Sequence, residues 1–200
     1  MKIVWRRFEL LFFLSLLFGG AAFLLKMCYL SLTFNSLFGL IFLTALYFYV
    51  RLRHSLRLPA RLLLFVFGAL QIDALGNFFR LYGRQFGPIQ YDEFSHLTVQ
   101  ILVTPVVIWL VRKGLESQGH SLSCALTTFF GCTTSFTLSA VYELIELWDE
   151  LYFNGQRIWS KYDTATDLQW DLLGIVIGAV LANLVLGSRL ILTRPVPSGS

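Results

Sequence analysis

Long apolar stretches dominate the chain and recur between short polar breaks. Six stretches are each about 18–28 residues long, the length that an α-helix needs to cross the hydrocarbon core of a bilayer. The sequence therefore predicts an all-α polytopic membrane protein with about six transmembrane helices, forming a single integral membrane domain over residues 1–200. The predicted helices cover about 8–25, 30–50, 62–82, 92–112, 122–148 and 165–188.

The composition supports this fold class. The chain is 56% hydrophobic and only 14% charged, and its mean hydropathy is +0.66. A soluble domain carries about 25% charged residues, so this chain has too few charges to cover a water-exposed surface. The composition therefore excludes an ordinary cytosolic enzyme, a disordered tail and a nucleic-acid-binding protein, and it makes membrane lipids the expected surroundings.

The N-terminal segment imitates a secretory signal peptide. A basic start, MKIVWRR, is followed by an apolar run and by small residues. We interpret the segment as a transmembrane anchor helix that stays in the protein, and the final RPVPSGS as a flexible tail. The three cysteines, Cys28, Cys124 and Cys132, show no metal-ligand spacing and are expected to be small packing residues.

The basic residues are distributed unevenly between the two sides of the predicted membrane domain. If the N-terminus is placed in the cytoplasm, eleven of the 16 Lys and Arg residues fall in cytoplasmic segments. The positive-inside rule therefore favours a cytoplasmic location for both termini. We expect a multi-pass protein of the bacterial inner (plasma) membrane.

The acidic residues show the opposite asymmetry. Ten of the 12 Asp and Glu residues fall in or beyond the outer half of the predicted helices. We interpret Glu93, Asp149 and Glu150 as solvated charges at helix ends. The other acids reach one level of the membrane from four separate segments, and this convergence is the most informative feature of the sequence.

Two of these segments carry polar pairs at helical spacing. Residues three or four apart share one face of a helix. YDEFSH opens the fourth predicted helix, and YELIELWDE lies near the outer end of the fifth. The pairs are Asp92 with His96, and Glu143 with Glu146.

The sixth predicted helix begins with a longer acidic stripe. Asp163, Asp167 and Asp171 follow one another at a spacing of four. An N-cap or loop position explains Asp163 equally well. Small residues continue the stripe inward and allow a neighbouring backbone to come close, so we expect the stripe to face protein rather than lipid. These small residues are Gly174, Gly178 and Ala182.

Carboxylates that converge inside a membrane must be neutralised by protons, by arginines or by a metal. One histidine with several carboxylates suits Mg²⁺, Mn²⁺ or Fe²⁺, and Zn²⁺ less clearly. The sequence therefore predicts a divalent-metal site at the outer, periplasmic side. His96 and Glu143 are the candidate catalytic acid–base residues, because imidazole exchanges protons near neutral pH. The predicted ligands are Asp92, His96, Glu143, Glu146, Asp167 and Asp171.

Several residues near the predicted metal site have more than one possible role. Arg80 and Arg84 are candidates to bind an anionic substrate, and Trp170 is a candidate to line the site. Asp73 and Asn77 could instead pair with Arg80 one turn further on. The hydroxyl residues of the fifth helix favour interhelical hydrogen bonds, with a hydrophilic path across the membrane as the competing interpretation. The other tryptophans predict an aromatic belt at the interfaces; they are Trp5, Trp109, Trp148 and Trp159.

The order of the motifs resembles a known family. D-x-x-x-H, then E-x-x-E, then D-x-x-x-D before a Gly-rich helix resembles the bacterial YjdF-like inner membrane proteins. More distantly the chain is similar to VanZ-like membrane proteins, although Glu146 and Asp171 stand where those proteins have Gln and Asn. The resemblance covers about residues 70–185. It implies a cell-envelope context and no particular substrate.

A third comparison concerns the last motif alone. D-x-x-x-D is similar to the metal-binding acids of CDP-alcohol phosphotransferases. The upstream D-G-x-x-A-R element of those enzymes is missing from this sequence, so their activity is not assigned.

Three functions remain open. The leading one is an envelope enzyme that uses the metal on a lipid or lipid-linked substrate, by hydrolysis or phosphoryl transfer. The second is a proton- or cation-coupled transporter, although the acids stop at one side and the sequence has no repeat symmetry. The third is a structural role in which the acids bind a metal, or Arg157 and Lys161, and lock the helices together without catalysis. The reaction, the metal and the oligomeric state stay open.

Overall fold

A computed structural model describes residues 58–155, 158 and 160–190. Four helices account for most of these residues, and each is long and apolar enough to cross a membrane. A short antiparallel hairpin, β1 (Gln85–Phe86) and β2 (Ile89–Gln90), joins the first two helices. The predicted helices 8–25 and 30–50 lie outside the described residues. The four helices are α1 (Ala60–Phe78), α2 (Tyr91–Ser117), α3 (Cys124–Phe153) and α4 (Asp163–Leu190).

These helices correspond to the last four predicted ones, and the helical membrane class is confirmed in this part of the chain. The number of spans and the side of the termini stay predictions. α1 ends at Phe78 rather than near residue 82, because Arg80 and Gly83 have φ angles of 54° and 78° that no helix can continue. The chain then turns into the hairpin.

α2 extends five residues beyond its predicted end. Its last turns carry Arg112, Lys113 and Glu116, and the Glu116 carboxylate accepts from Arg112 Nε at 2.7 Å and from Lys113 Nζ at 2.5 Å. Such pairs, three and four residues apart, support a helix beyond the apolar stretch. At the other end, Gln90 N donates to Glu93 Oε2 at 2.9 Å in a capping box, so Glu93 is a helix-end acid as predicted.

α2 lies at the centre of the bundle and packs against α1, α3 and α4. It comes close to the small residues of α4. A Cβ built on Gly174 would lie 2.5 Å from Leu97 O, and one built on Gly178 would lie 3.0 Å from Gln100 O. Only glycine permits this backbone contact, so the stripe faces protein as the sequence predicts.

An apolar core lies between α1 and α2. It is formed by Leu62, Val106 and Trp109, all at most 5% exposed. The prediction that Trp109 belongs to an interfacial belt is therefore wrong, because its ring is packed inside the bundle. Trp148 is exposed, whereas Trp5 and Trp159 lie outside the described residues.

A proline interrupts the backbone ladder of α2. Pro105 is fully buried in the interior of the helix. Because proline has no N–H, the carbonyl of Ile101 cannot receive the usual helical hydrogen bond from this position. A Cβ on Gly178 of α4 would lie 3.0 Å from that same carbonyl oxygen, so α4 approaches α2 where the ladder is broken.

Candidate metal centre

Three helix ends meet at one end of the bundle. α2 and α4 begin there and α3 ends there, since successive helices run antiparallel. Spacings of three and four residues place the acids of each helix on one face, so packing the three faces together brings the acids into one cluster. Five of these carboxylates are at most 7% exposed: Glu143, Glu146, Asp149, Asp167 and Asp171.

His96 lies between carboxylates on both sides of its ring. Its Nδ1 is 3.0 Å from Asp171 Oδ1. Its Nε2 is 3.7 Å from Asp92 Oδ1 and 3.8 Å from Glu143 Oε1. The histidine side chain is only 9% exposed, so the protein fixes the direction of both ring nitrogens.

The two sides of the ring differ in what they can do. The Asp171 contact has hydrogen-bond length, whereas the two contacts at Nε2 are too long for hydrogen bonds. A carboxylate that accepts from Nδ1–H leaves a lone pair on Nε2, as in many metal-bound histidines. Two ligands of one ion are about 3–4 Å apart, since each lies about 2.0–2.2 Å from it. The spacing at Nε2 suits a shared cation.

The ligand atoms form two groups. One atom each from His96, Glu143 and Asp171 lie within 4.8 Å of one another, and so do oxygens of Asp92, Asp163 and Asp167. Asp92 belongs to the second group and also faces His96 Nε2 of the first. The groups therefore adjoin. The predicted ligand set lacks Asp163. Its spacing of four residues from Asp167 could have identified it as a candidate ligand.

Glu143 and Asp167 each have one buried carboxylate oxygen without a hydrogen-bond partner among the residues that the structure describes. These oxygens are Glu143 Oε1 and Asp167 Oδ2, on side chains that are each 3% exposed. An unpaired buried polar group costs about 1–3 kcal/mol, and more when it is charged. The predicted neutralisation of this place by protons, by arginines or by a metal is in keeping with this burial.

The end of α3 holds two further buried acids. Glu146 is 7% exposed and contributes to neither group of ligand atoms in the part of the chain that the structure describes. Asp149 is 0% exposed, so the prediction of a solvated helix-end charge is wrong for this residue. The chain folds back at Asn154, which has a φ of 54°, and carries Gly155 over the carboxyl group. A Cβ on Gly155 would lie 2.7 Å from Asp149 Cγ.

Asp73, in the second half of α1, is hydrogen-bonded to the connection that leads to the hairpin. Its Oδ1 accepts from Asn77 Nδ2 at 3.0 Å and from Tyr82 OH at 2.9 Å. The pairing of Asp73 and Asn77 with Arg80 stays a prediction, and Tyr82 is a partner that the sequence did not indicate. Nearby, Tyr91 OH donates to Ile72 O at 2.7 Å and ties the start of α2 to α1.

The three candidate substrate-binding residues are not part of either ligand group. Arg80 and Arg84 are exposed on the connection between α1 and the hairpin, and Trp170 is half-buried in α4 beside Asp171. Their roles stay predictions.

A polar contact continues below His96. Gln100 Nε2 donates to Ser139 Oγ at 2.7 Å and bridges α2 and α3. The Ser139 hydroxyl of α3 therefore makes an interhelical bond of the predicted kind. Thr127, Thr133 and Thr137 donate to carbonyls of their own helix or its cap instead. The sequence analysis missed Gln100, which lies one turn after His96 on the same face.

The fold and the site define a helical membrane protein with a buried cluster of one histidine and several carboxylates. The chain belongs to the family described as "Predicted membrane protein (DUF2238)", whose model matches residues 8–192. This confirms the resemblance to the YjdF-like proteins, which form this family, while the VanZ-like resemblance stays a prediction. No curated protein and no solved structure matches the chain.

Proposed function

We propose that the protein is a metal-dependent enzyme of the bacterial inner membrane. In this proposal a divalent cation lies against His96 Nε2, and the carboxylates of Asp92 and Glu143 share it. The enzyme acts on a lipid or lipid-linked substrate of the cell envelope at the periplasmic side, by hydrolysis or phosphoryl transfer. The observation that carries the proposal is the two-sided setting of His96, with Nδ1 bound by Asp171 and Nε2 turned to two carboxylates.

The geometry assigns different tasks within the predicted ligand set. Asp171 accepts from the histidine ring and is a positioning residue in this proposal, because a carboxylate on the second nitrogen orients a metal-bound imidazole. Asp167 Oδ2 is buried without a hydrogen-bond partner among the described residues. With Asp92 and Asp163, Asp167 offers a place for a second cation next to the first. Glu146 adds negative charge nearby.

The donor set suits hard or borderline cations. One imidazole nitrogen with carboxylate oxygens fits Mg²⁺, Mn²⁺, Fe²⁺ or Zn²⁺. Such an ion polarises a phosphoryl or carbonyl oxygen or activates a water molecule. With Glu143 Oε1 turned to the cation, the second carboxylate oxygen of Glu143 would accept a proton beside it. Arg80 and Arg84 are proposed to hold an anionic headgroup, and Trp170 to line its entry.

Elemental analysis of the purified protein tests the metal directly. We expect one or two equivalents of one divalent metal in the wild type and a loss in both His96→Ala and Asp167→Asn. Asp73→Asn is the matched control, because its carboxylate is bound by Asn77 and Tyr82 and lies in neither ligand group. A folded wild-type protein that binds none of these four metals would overturn the proposal.

The same preparation separates the two alternatives. Proton- or cation-coupled flux in proteoliposomes that Glu143→Gln abolishes would favour transport. A metal that is retained and stabilises the protein, with no turnover of envelope phosphates or esters, would favour a structural role. Turnover that follows metal content across the variants would support the enzyme.

A further inference from the structure

The interface between α2 and α3 is built in layers. In the first layer His96 Nε2 lies 3.8 Å from Glu143 Oε1. In the second layer Gln100 Nε2 donates to Ser139 Oγ. One step of four residues forward along α2 therefore matches one step of four residues back along α3, as expected for antiparallel helices that keep one face together.

The same register extends deeper into the bundle. Ile108 lies so close to Gly131 that a Cβ built on the glycine would be 2.8 Å from the Cα of Ile108. This contact is two steps below the layer of Gln100 and Ser139. The step between them places Thr104 opposite Ser135. This pair is the third layer, and the Ile108–Gly131 contact is the fourth.

The third layer is polar and closed to solvent. Thr104 is 0% exposed and Ser135 is 1% exposed. Neither hydroxyl has a hydrogen-bond partner among the described residues, and the same holds for Gln100 Oε1 in the layer above. A buried hydroxyl in a membrane helix can be satisfied by its own backbone, as in Thr127, which donates to Ser123 O at 3.0 Å. Three orphaned atoms in adjacent layers indicate a shared partner.

The surroundings of this layer limit what that partner can be. A Cβ on Gly178 of α4 would lie 2.9 Å from Thr104 Cβ, so α4 covers one side. The Ile108–Gly131 contact covers the bottom. The orphaned atoms are two hydroxyls and one amide oxygen, and divalent cations in proteins are held by carboxylates instead. A small neutral molecule with donors and acceptors fits this place best.

We propose that the Thr104–Ser135 layer binds ordered water through Gln100 Oε1, Thr104 Oγ1 and Ser135 Oγ, and that the Ile108–Gly131 contact is a dry seal below it. A buried water makes about three hydrogen bonds, which these three atoms supply. The polar layers then form a blind well. Among the described residues the Ile108–Gly131 contact closes the lower end of this well, so water and protons enter it from the carboxylate end.

Thermal unfolding of Thr104→Val distinguishes a layer that contains water from a dry layer, because the unfolding midpoint shifts in opposite directions in the two cases. If water bridges the layer, the substitution removes one of its partners, leaves Ser135 and Gln100 unpaired, and lowers the midpoint by about 2–4 °C. Adding Ser135→Ala to Thr104→Val should then raise the midpoint part of the way back, because it removes a buried hydroxyl that has already lost its partner. If the layer is dry, each substitution replaces an orphaned hydroxyl and raises the midpoint.

A matched control and a direct probe accompany these variants. Thr127→Val removes a satisfied buried hydroxyl from the same face of α3 and lowers the midpoint in either case. Magnetisation transfer from water to threonine methyl groups, measured by solid-state NMR in lipid bilayers, should reach Thr104. A raised midpoint in Thr104→Val, no transfer to Thr104, or a sodium-dependent midpoint that Thr104→Val abolishes would overturn the proposal. If Thr104→Val fails to fold, the sign for Ser135→Ala alone decides.

Discussion

The two halves of α2 use opposite means to hold their neighbours. The half that begins with His96 meets its partners through carboxylates, an amide and hydroxyls. The other half meets them through the apolar core of Leu62, Val106 and Trp109. Apolar side chains between helices in a bilayer stabilise the fold by close packing, whereas burial of carboxylates costs free energy unless they are paired. The polar half is therefore typical of a site kept for binding or chemistry at the expense of stability.

The largest expected change in stability comes from a substitution in the apolar half. Leu62→Ala should lower the free energy of unfolding by about 2–5 kcal/mol, because Leu62 is 0% exposed and its loss leaves a cavity against Val106 and Trp109. Metal content per folded protein should not change. Denaturation in detergent combined with elemental analysis measures both quantities. A loss of metal in folded Leu62→Ala would show that the two halves are coupled.

A smaller effect is expected at the positioning residue of the polar half. Asp171→Asn should weaken metal binding by about 10–100-fold while leaving the number of bound ions unchanged, because the amide orients the His96 ring less firmly. Metal titration with a competing chelator measures the affinity. A lower stoichiometry at saturating metal would make Asp171 a ligand and contradict its role as a positioning residue.

The smallest expected effect has the opposite sign from that of Leu62→Ala. Glu143→Gln removes one buried carboxylate of the cluster with little change in shape. It should stabilise the metal-free protein by roughly 1 kcal/mol, since a neutral amide is less costly to bury. The same variant should bind metal more weakly than the wild type. Unfolding measured with and without a chelator tests this. A destabilised metal-free variant would mean that contacts of the Glu143 carboxylate with the protein stabilise the fold without a metal.

The spacing of the acids made much of this site predictable. Pairs at intervals of three and four share a helix face wherever the helix lies, so Asp92 with His96 and Asp167 with Asp171 could be placed from the sequence. The small residues after Asp171 identified the face of α4 that meets protein, because only a small side chain permits close backbone approach.

Other features depended on contacts that no local pattern contains. Whether Asp171 or Glu143 meets a particular nitrogen of His96 depends on the register between helices. The burial of Asp149 depends on a left-handed residue, Asn154, that turns the chain back over it. Trp109 could not be assigned to the core rather than to an interface, since both positions suit its size and polarity.

Pro105 gives α2 a mechanical property that follows from its position. It stands between the third polar layer, at Thr104, and the seal at Ile108, and the ladder lacks one rung there. A helix bends most readily where its ladder of backbone hydrogen bonds is interrupted, as it is at a proline. A bend of α2 at this point would change the direction of the segment that carries Asp92 and His96 relative to the segment around Trp109, which packs against α1. The position at which α2 bends most easily thus lies between the carboxylate cluster and the apolar core.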